Sequence, residues 1–108
     1  MAESKLFTPY KLGSTTLRNR VIRSAAFESM GKDFAPTQAL KDYHVSVAKG
    51  GVGMTTVAYA SINRSGISFN KQLWLRDEIV PALRDLTDAV HNEGAAVGIQ
   101  LGHCGNMT

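Results

Sequence analysis

Apolar positions along the chain fall into two alternating kinds of pattern. Residues 6–12 and Thr15–Leu17 are short extended candidates flanking Gly13 and Ser14, a pair suited to a tight hairpin turn. Val21, Ile22 and Arg23 read as a strand running into the small residues Ser24, Ala25 and Ala26, and 31–36 read as a loop. From Thr37 the period changes: Leu40, Tyr43, His44 and Val47 recur at helical spacing, with Lys41, Asp42 and Lys49 off that face. Thr37 can cap this helix and the Gly50–Gly51 pair ends it. Residues 52–58 read as a buried parallel strand and 63–70 as a loop. A second helix is predicted from Asp77 as N-cap, with Pro81 in its first turn, where a missing N–H costs little. Ile79, Leu83, Leu86 and Val90 form its apolar stripe, Gly94 stops it, and 95–101 read as a third strand. There is no useful internal repeat and no linker.

Buried strands alternating with amphipathic helices imply βαβ units and a parallel sheet. An open doubly wound sheet would want a glycine-rich turn after its first strand. Here Ser24, Ala25, Ala26, Phe27 and Glu28 follow, with no glycine before Gly31. An arc of a (β/α)₈ barrel is the better fit: an α/β fold made of the first three β/α units behind a short β-hairpin. On this reading the hairpin occupies 6–17 and the barrel segment 18–108. No helix follows the third strand to cover the sheet, so the sequence reads as unfinished, and self-association of such a piece is an expectation.

Composition narrows the classes. An apolar fraction of 44% with 19% charged residues belongs to a folded protein rather than a disordered tail. Lys5, Lys11, Arg18, Arg20 and Arg23 crowd the first part of the chain, but no run of like charge appears and the net charge is only +3, so nucleic acid is not expected as a partner. Cys104 is the only cysteine, which excludes an internal disulfide and a multi-cysteine metal site. No window approaches a membrane span and the first residues lack a signal-peptide pattern, so a cytoplasmic protein away from membranes is expected.

Four stretches then carry a resemblance. They are Leu6-Phe7-Thr8-Pro9-Tyr10-Lys11-Leu12-Gly13, Leu17-Arg18-Asn19-Arg20-Val21-Ile22-Arg23-Ser24-Ala25, Gly50-Gly51-Val52-Gly53-Met54 and Gln100-Leu101-Gly102-His103-Cys104-Gly105. In this order, with Asp88-Ala89-Val90-His91-Asn92-Glu93-Gly94 ahead of the last, they resemble the start of Old Yellow Enzyme family proteins, NADH:flavin oxidoreductases and ene-reductases. The resemblance runs from Leu6 through nearly the whole chain and covers about the first quarter to third of a family member. It implies a TIM barrel holding FMN at the C-terminal strand ends, where any such barrel builds its site. It further implies NAD(P)H as hydride donor and a small-molecule alkene or carbonyl compound as substrate. The family's substrate-polarising His-Asn or His-His pair, its proton-donating tyrosine and its FMN-phosphate grip lie on later strands. Catalytic residues are therefore not expected among these 108, and the piece alone is expected to be inactive.

The resemblance implies cofactor-binding roles for Ala25, Ala26, Phe27, Tyr59 and Gln100. Small side chains at Ala25 and Ala26 permit close approach of backbone to a flat ring; they also suit a strand end. Phe27 stands where many relatives carry Thr or Cys beside a flavin carbonyl, and it cannot donate that hydrogen bond. Tyr59 is expected just past the second strand, lining the pocket or the surface. The Gln100 amide both donates and accepts, which suits the alternating edge of an isoalloxazine. His103 and Cys104 do not form a metal site by themselves, and adjacent residues of an extended segment face opposite ways. His44 and His91 read as packing or surface histidines, and Glu28 as a pocket acid or a solvated or arginine-paired carboxylate. Two function classes stay open: the N-terminal part of an FMN-dependent oxidoreductase, or a non-catalytic barrel fragment acting as a structural or associating module.

Overall fold

A computed structural model describes residues 4–105. Strands β1 (Tyr10–Leu12) and β2 (Thr15–Leu17) form the expected antiparallel hairpin, with Gly13 at φ +60° in the turn. The extended reading of Leu6 and Phe7 does not hold. Lys5–Phe7 coil into a 3₁₀ turn, because the Ser4 side chain accepts from the Leu6 N–H and caps it. The sheet that matters is parallel: β3 (Ile22–Arg23), β4 (Met54–Ser61) and β6 (Ala96–Gly102), with helix α1 (Gln38–Lys49) between the first two and α2 (Val80–Asn92) between the last two. The described residues thus hold two strand–helix pairs and a third strand.

Strand β4 is central, carrying β3 on one edge and β6 on the other. The sequence reading ended it at Ala58; it continues to Ser61, because its last residues gain a further partner. That partner is β5 (Leu73–Trp74), between the predicted loop at 63–70 and the second helix, which pairs Ala60 and Ser61 in parallel. Since β6 already pairs the same two residues, β5 lies on the β3 edge of β4, farther along. A two-residue strand leaves no periodicity to read.

Both helices bury one stripe on this sheet. Thr37 caps α1 as expected, its Oγ1 accepting from the Leu40 N–H at 3.1 Å while donating to the Met30 carbonyl at 2.5 Å. Leu40, His44 and Ala48 form the buried stripe. Asp77 does not cap α2; residues Asp77–Ile79 form a 3₁₀ turn that leads into the helix, and Pro81 sits in the first α-helical turn. Leu86 and Val90 of α2 meet Leu40, Val57 and Leu73 in the core, with Leu83, Val97 and Ile99 packed around it. Burial of each such side chain is worth about 1.5–3 kcal/mol.

The outer layer is open. An apolar recess of about 130 Å³ lies between α2 and β6, lined by Val57, Leu83, Leu86, Thr87, Val97, Gly98 and Ile99. The radius of gyration is 15.0 Å, against about 13 Å for a closed domain of this length. Ile22 of β3 and Leu101 of β6 are exposed.

One side chain closes the N-terminal end of the sheet. Arg18 donates to Ala48 O at the end of α1 (2.6 Å), to Glu93 O at the end of α2 (2.7 Å) and to Val52 O before β4 (3.0 Å). A cation there meets the negative ends of two helix dipoles as well as three carbonyls. Gly94, at φ +86°, permits this: a Cβ there would sit 2.6 Å from an Arg18 nitrogen. In the complete protein carrying this segment, Arg18→Met is expected to cost about 2 kcal/mol in denaturant unfolding, and Arg18→Lys to recover less than half of it. Equal stability of Arg18→Met and wild type would show the cap to be idle.

Candidate functional site

The C-terminal halves of β4 and β6 pair side by side, and an irregularity in β4 shapes this part of the sheet. Val57 pairs with Ile99 and Ala60 with Leu101, so Ala58 and Tyr59 together face the single residue Gln100. Such a bulge re-aims the strand and its side chains, and bulges gather beside active sites. Tyr59 is therefore inside β4 at its bulge, not beyond the strand end as the sequence reading had it.

Alternation fixes the direction of Gln100. Val97 and Ile99 pack on the helix-side core, so Gly98 and Gln100 face the other side of the sheet. Gly98 confirms it, since a Cβ there would meet the Met54 methyl at 2.7 Å. Gln100 is exposed, and its amide makes no side-chain hydrogen bond among the described residues. An amide at a strand end with unused donor and acceptor is free to meet a polar ring edge.

The loop after β3 forms the adjoining wall. Ala25 is half-buried and Ala26 exposed. Arg23 pins this loop, donating to Ala26 O (3.1 Å), Ser24 O (3.4 Å) and Thr56 O (2.7 Å), with its guanidinium 4.9 Å from the Tyr43 ring centre. The Phe27 ring lies 5.0 Å from that of Tyr59 and 5.4 Å from that of Phe69, the latter pair stacked at 22°. Phe69 was not anticipated. It is held by Gln72, whose buried side-chain oxygen accepts from the Ser68 and Phe69 N–H groups at 2.7 and 3.0 Å. A lone phenylalanine in a polar loop gives no signal of a ring stack completed across 42 residues.

His103 and Ser65 make a pair that superficially suits nucleophilic chemistry, 3.0 Å apart. The hydrogen-bond pattern argues against it. The Gly105 N–H donates to His103 Nδ1 at 2.9 Å, so Nε2 carries the proton and donates to Ser65 Oγ. A histidine in that tautomer cannot take the serine proton. Both residues instead fasten the end of β6 to the 3₁₀ turn Arg64–Gly66, helped by the Cys104 N–H donating to Gly66 O at 3.1 Å. Gly66 is required there, because a Cβ would lie 2.6 Å from the His103 ring. Among the described residues no cluster of three His, Cys, Asp or Glu side chains could hold a metal.

A buried polar chain lies behind the wall. Glu28 Oε2 is 2.6 Å from His44 Nε2, accepts from the Ala58 N–H at 3.1 Å and lies 3.6 Å from Arg23 Nη1. His44 Nδ1 is 2.8 Å from Thr55 Oγ1. Glu28 is the arginine-paired carboxylate of the sequence reading rather than a solvated or pocket-facing one, and His44 is not a passive packing residue. Sequence spacing across 16 residues could not join them, although the buried phase of His44 on α1 was legible.

Comparisons with known proteins identify the family. Residues 5–108 match the NADH:flavin oxidoreductase / NADH oxidase family. The chain belongs to that family. Among curated relatives it is 43% identical over 100 residues to a 4,4'-dithiodibutanoate disulfide reductase of Rhodococcus erythropolis, covering 93% of this chain and 25% of the relative. It is 44% identical over 110 residues to a probable N-methylproline demethylase of Rhizobium meliloti, covering 100% and 16%. An NADPH dehydrogenase of Listeria welshimeri is 40% identical, with 94% and 31% covered. Among solved structures, morphinone reductase in complex with tetrahydroNAD superposes with a TM-score of 0.86 at 25% identity, covering 98% of this chain and 29% of that one. The chain thus spans between about a sixth and a third of the length of these relatives.

Burial raises the Tyr59 phenol above its ordinary value of 10.0, and Cys104, once ionised, adds repulsion. The folded protein resists ionising Tyr59, so its contribution to stability is complete below the unfolded value and is lost as pH rises through the folded one. Wild type is expected to lose stability more steeply than Tyr59→Phe above about pH 10 in denaturant titrations. Matching pH profiles would contradict the burial of this phenol.

Proposed function

We propose that this chain supplies the ring-side wall of an FMN site in a barrel oxidoreductase, which passes hydride from NAD(P)H through the flavin to an activated alkene. The observation that carries the reading is the bulge that sets Tyr59 opposite Gln100, whose amide is unspent. Family membership supports flavin chemistry as such.

The residues present fit one side of a flavin. Bound FMN supplies reversible two-electron hydride chemistry between a reduced nicotinamide and an electron-poor carbon. Gln100 would donate and accept along the alternating edge of the ring, and the small residues Ala25 and Ala26 would let backbone approach it. Phe27, stacked with Phe69, would exclude water and offer the ring no hydrogen bond where many relatives have a donor. The groups that polarise substrate, deliver a proton and hold the FMN phosphate would come from later strands, so the 108 residues alone would be inactive. Relatives of this chain are named for reducing a disulfide and for demethylating N-methylproline, so the compound that exchanges electrons with the flavin differs between relatives. The open sheet edges favour the second reading, a structural module that holds no flavin. The visible flavin bands separate the two: a coloured preparation supports the cofactor site, and a colourless one the module.

In the complete protein, Gln100→Ala is expected to weaken FMN binding roughly tenfold, the worth of one net hydrogen bond of about 1–1.5 kcal/mol. Fluorescence titration of FMN would measure this, and unchanged affinity would remove Gln100 from the site.

A further inference from the structure

We propose that Glu28 is a positioning residue for this site, standing in for a missing strand on the edge of β4 and so holding the bulge that aims Tyr59 at Gln100. The inference rests on the flavin reading above only for what the bulge serves.

The β3 edge of β4 has a gap. β3 pairs only Met54 and Thr55, and β5 only Ala60 and Ser61, so residues 56–58 have no strand beside them there. Backbone groups on a buried strand edge must find partners. Two side chains provide them: Arg23 Nη1 donates to Thr56 O at 2.7 Å, and Glu28 Oε2 accepts from the Ala58 N–H at 3.1 Å. Together they partner one carbonyl and one N–H within the gap, the second immediately before Tyr59 at the bulge.

The form of the Glu28 contacts supports a placed rather than incidental carboxylate. Its side chain is 1% exposed, and all its contacts run through Oε2, while Oε1 is buried with no partner among the described residues. A carboxylate half-satisfied in the interior is costly. Such an exception in a native fold calls for an account, and the position of Oε2 provides one. His44, clamped between Glu28 and Thr55, orients that oxygen from the α1 side, and Arg23 from the β3 side. Glu28 directly follows Phe27, so the same anchor fixes the depth of the Phe27 ring against Tyr59.

The test compares three variants of the complete protein, by hydrogen exchange of the Ala58 amide without FMN and by FMN affinity. Glu28→Met is expected to speed Ala58 exchange and weaken FMN binding, each about tenfold, the worth of one lost bond. Glu28→Gln, which retains an acceptor oxygen, is expected to restore both to within about threefold of wild type. Arg18→Met, which loosens the opposite end of the sheet, is expected to lower the melting temperature and leave both readouts unchanged, so that loss of stability alone is separated from loss of position. If Glu28→Met does not fold, wild type still decides, because the inference requires the Ala58 amide to be as protected as the β4 amides paired to β6. An unprotected Ala58, an exchange rate indifferent to Glu28→Met, or an Arg18→Met variant that loses FMN equally would overturn the inference. A wild-type protein that protects Ala58 but has no affinity for FMN would overturn the flavin reading alone.

Discussion

The edge of β4 at residues 56–58 is the constraint on which the site depends. A parallel strand needs partners on both sides, yet β3 is two residues long and β5 begins only at Leu73. Arg23 and Glu28 cover the interval with one donor and one acceptor. Because these side chains also hold the loop carrying Ala25, Ala26 and Phe27, the repair of the edge and the placement of the wall are one event. Charged groups tolerate such burial only when paired and hydrogen-bonded, which is why His44 and Thr55 are recruited from the helix and strand behind them.

A division of labour runs along the sheet. At the N-terminal end, Arg18 draws together the ends of α1 and α2 and sets the spacing of the layers. In the middle, aliphatic packing of Leu40, Val57, Leu86 and Val90 gives most of the stabilisation. At the C-terminal end, regular pairing gives way to a bulge, a ring stack and the turn fastened by His103. Regular, stabilising structure at the N-terminal strand ends and irregular structure at the C-terminal ends are the barrel's usual arrangement for separating stability from chemistry.

Much of this was legible in the sequence, for stated physical reasons. Thr37 as cap, the 3.6-residue recurrence of Leu40 and His44, and Gly94 as terminator are local features that local rules describe. The parallel order followed from alternation. What was not legible depends on distance or on brevity. β5 is too short for a pattern, and its pairing extends β4 past Ala58 to Ser61. Asp77 looked like a cap, but the chain spends it on a 3₁₀ turn before α2. At the site, small residues and a glutamine at strand ends were recognisable. The bulge, the Phe69 stack and the Glu28–His44–Thr55 chain were not, because each joins residues that only the fold brings together.

The most direct test of the central claim is a crystal structure of the complete protein grown with FMN. The flavin is expected along the C-terminal halves of β4 and β6 and the loop after β3. The Gln100 amide is expected about 3 Å from a polar atom of the ring, with Glu28 on the Ala58 N–H. A flavin seated elsewhere, or a β4 that pairs β6 in unbroken register with Gln100 turned away from the ring, would contradict it.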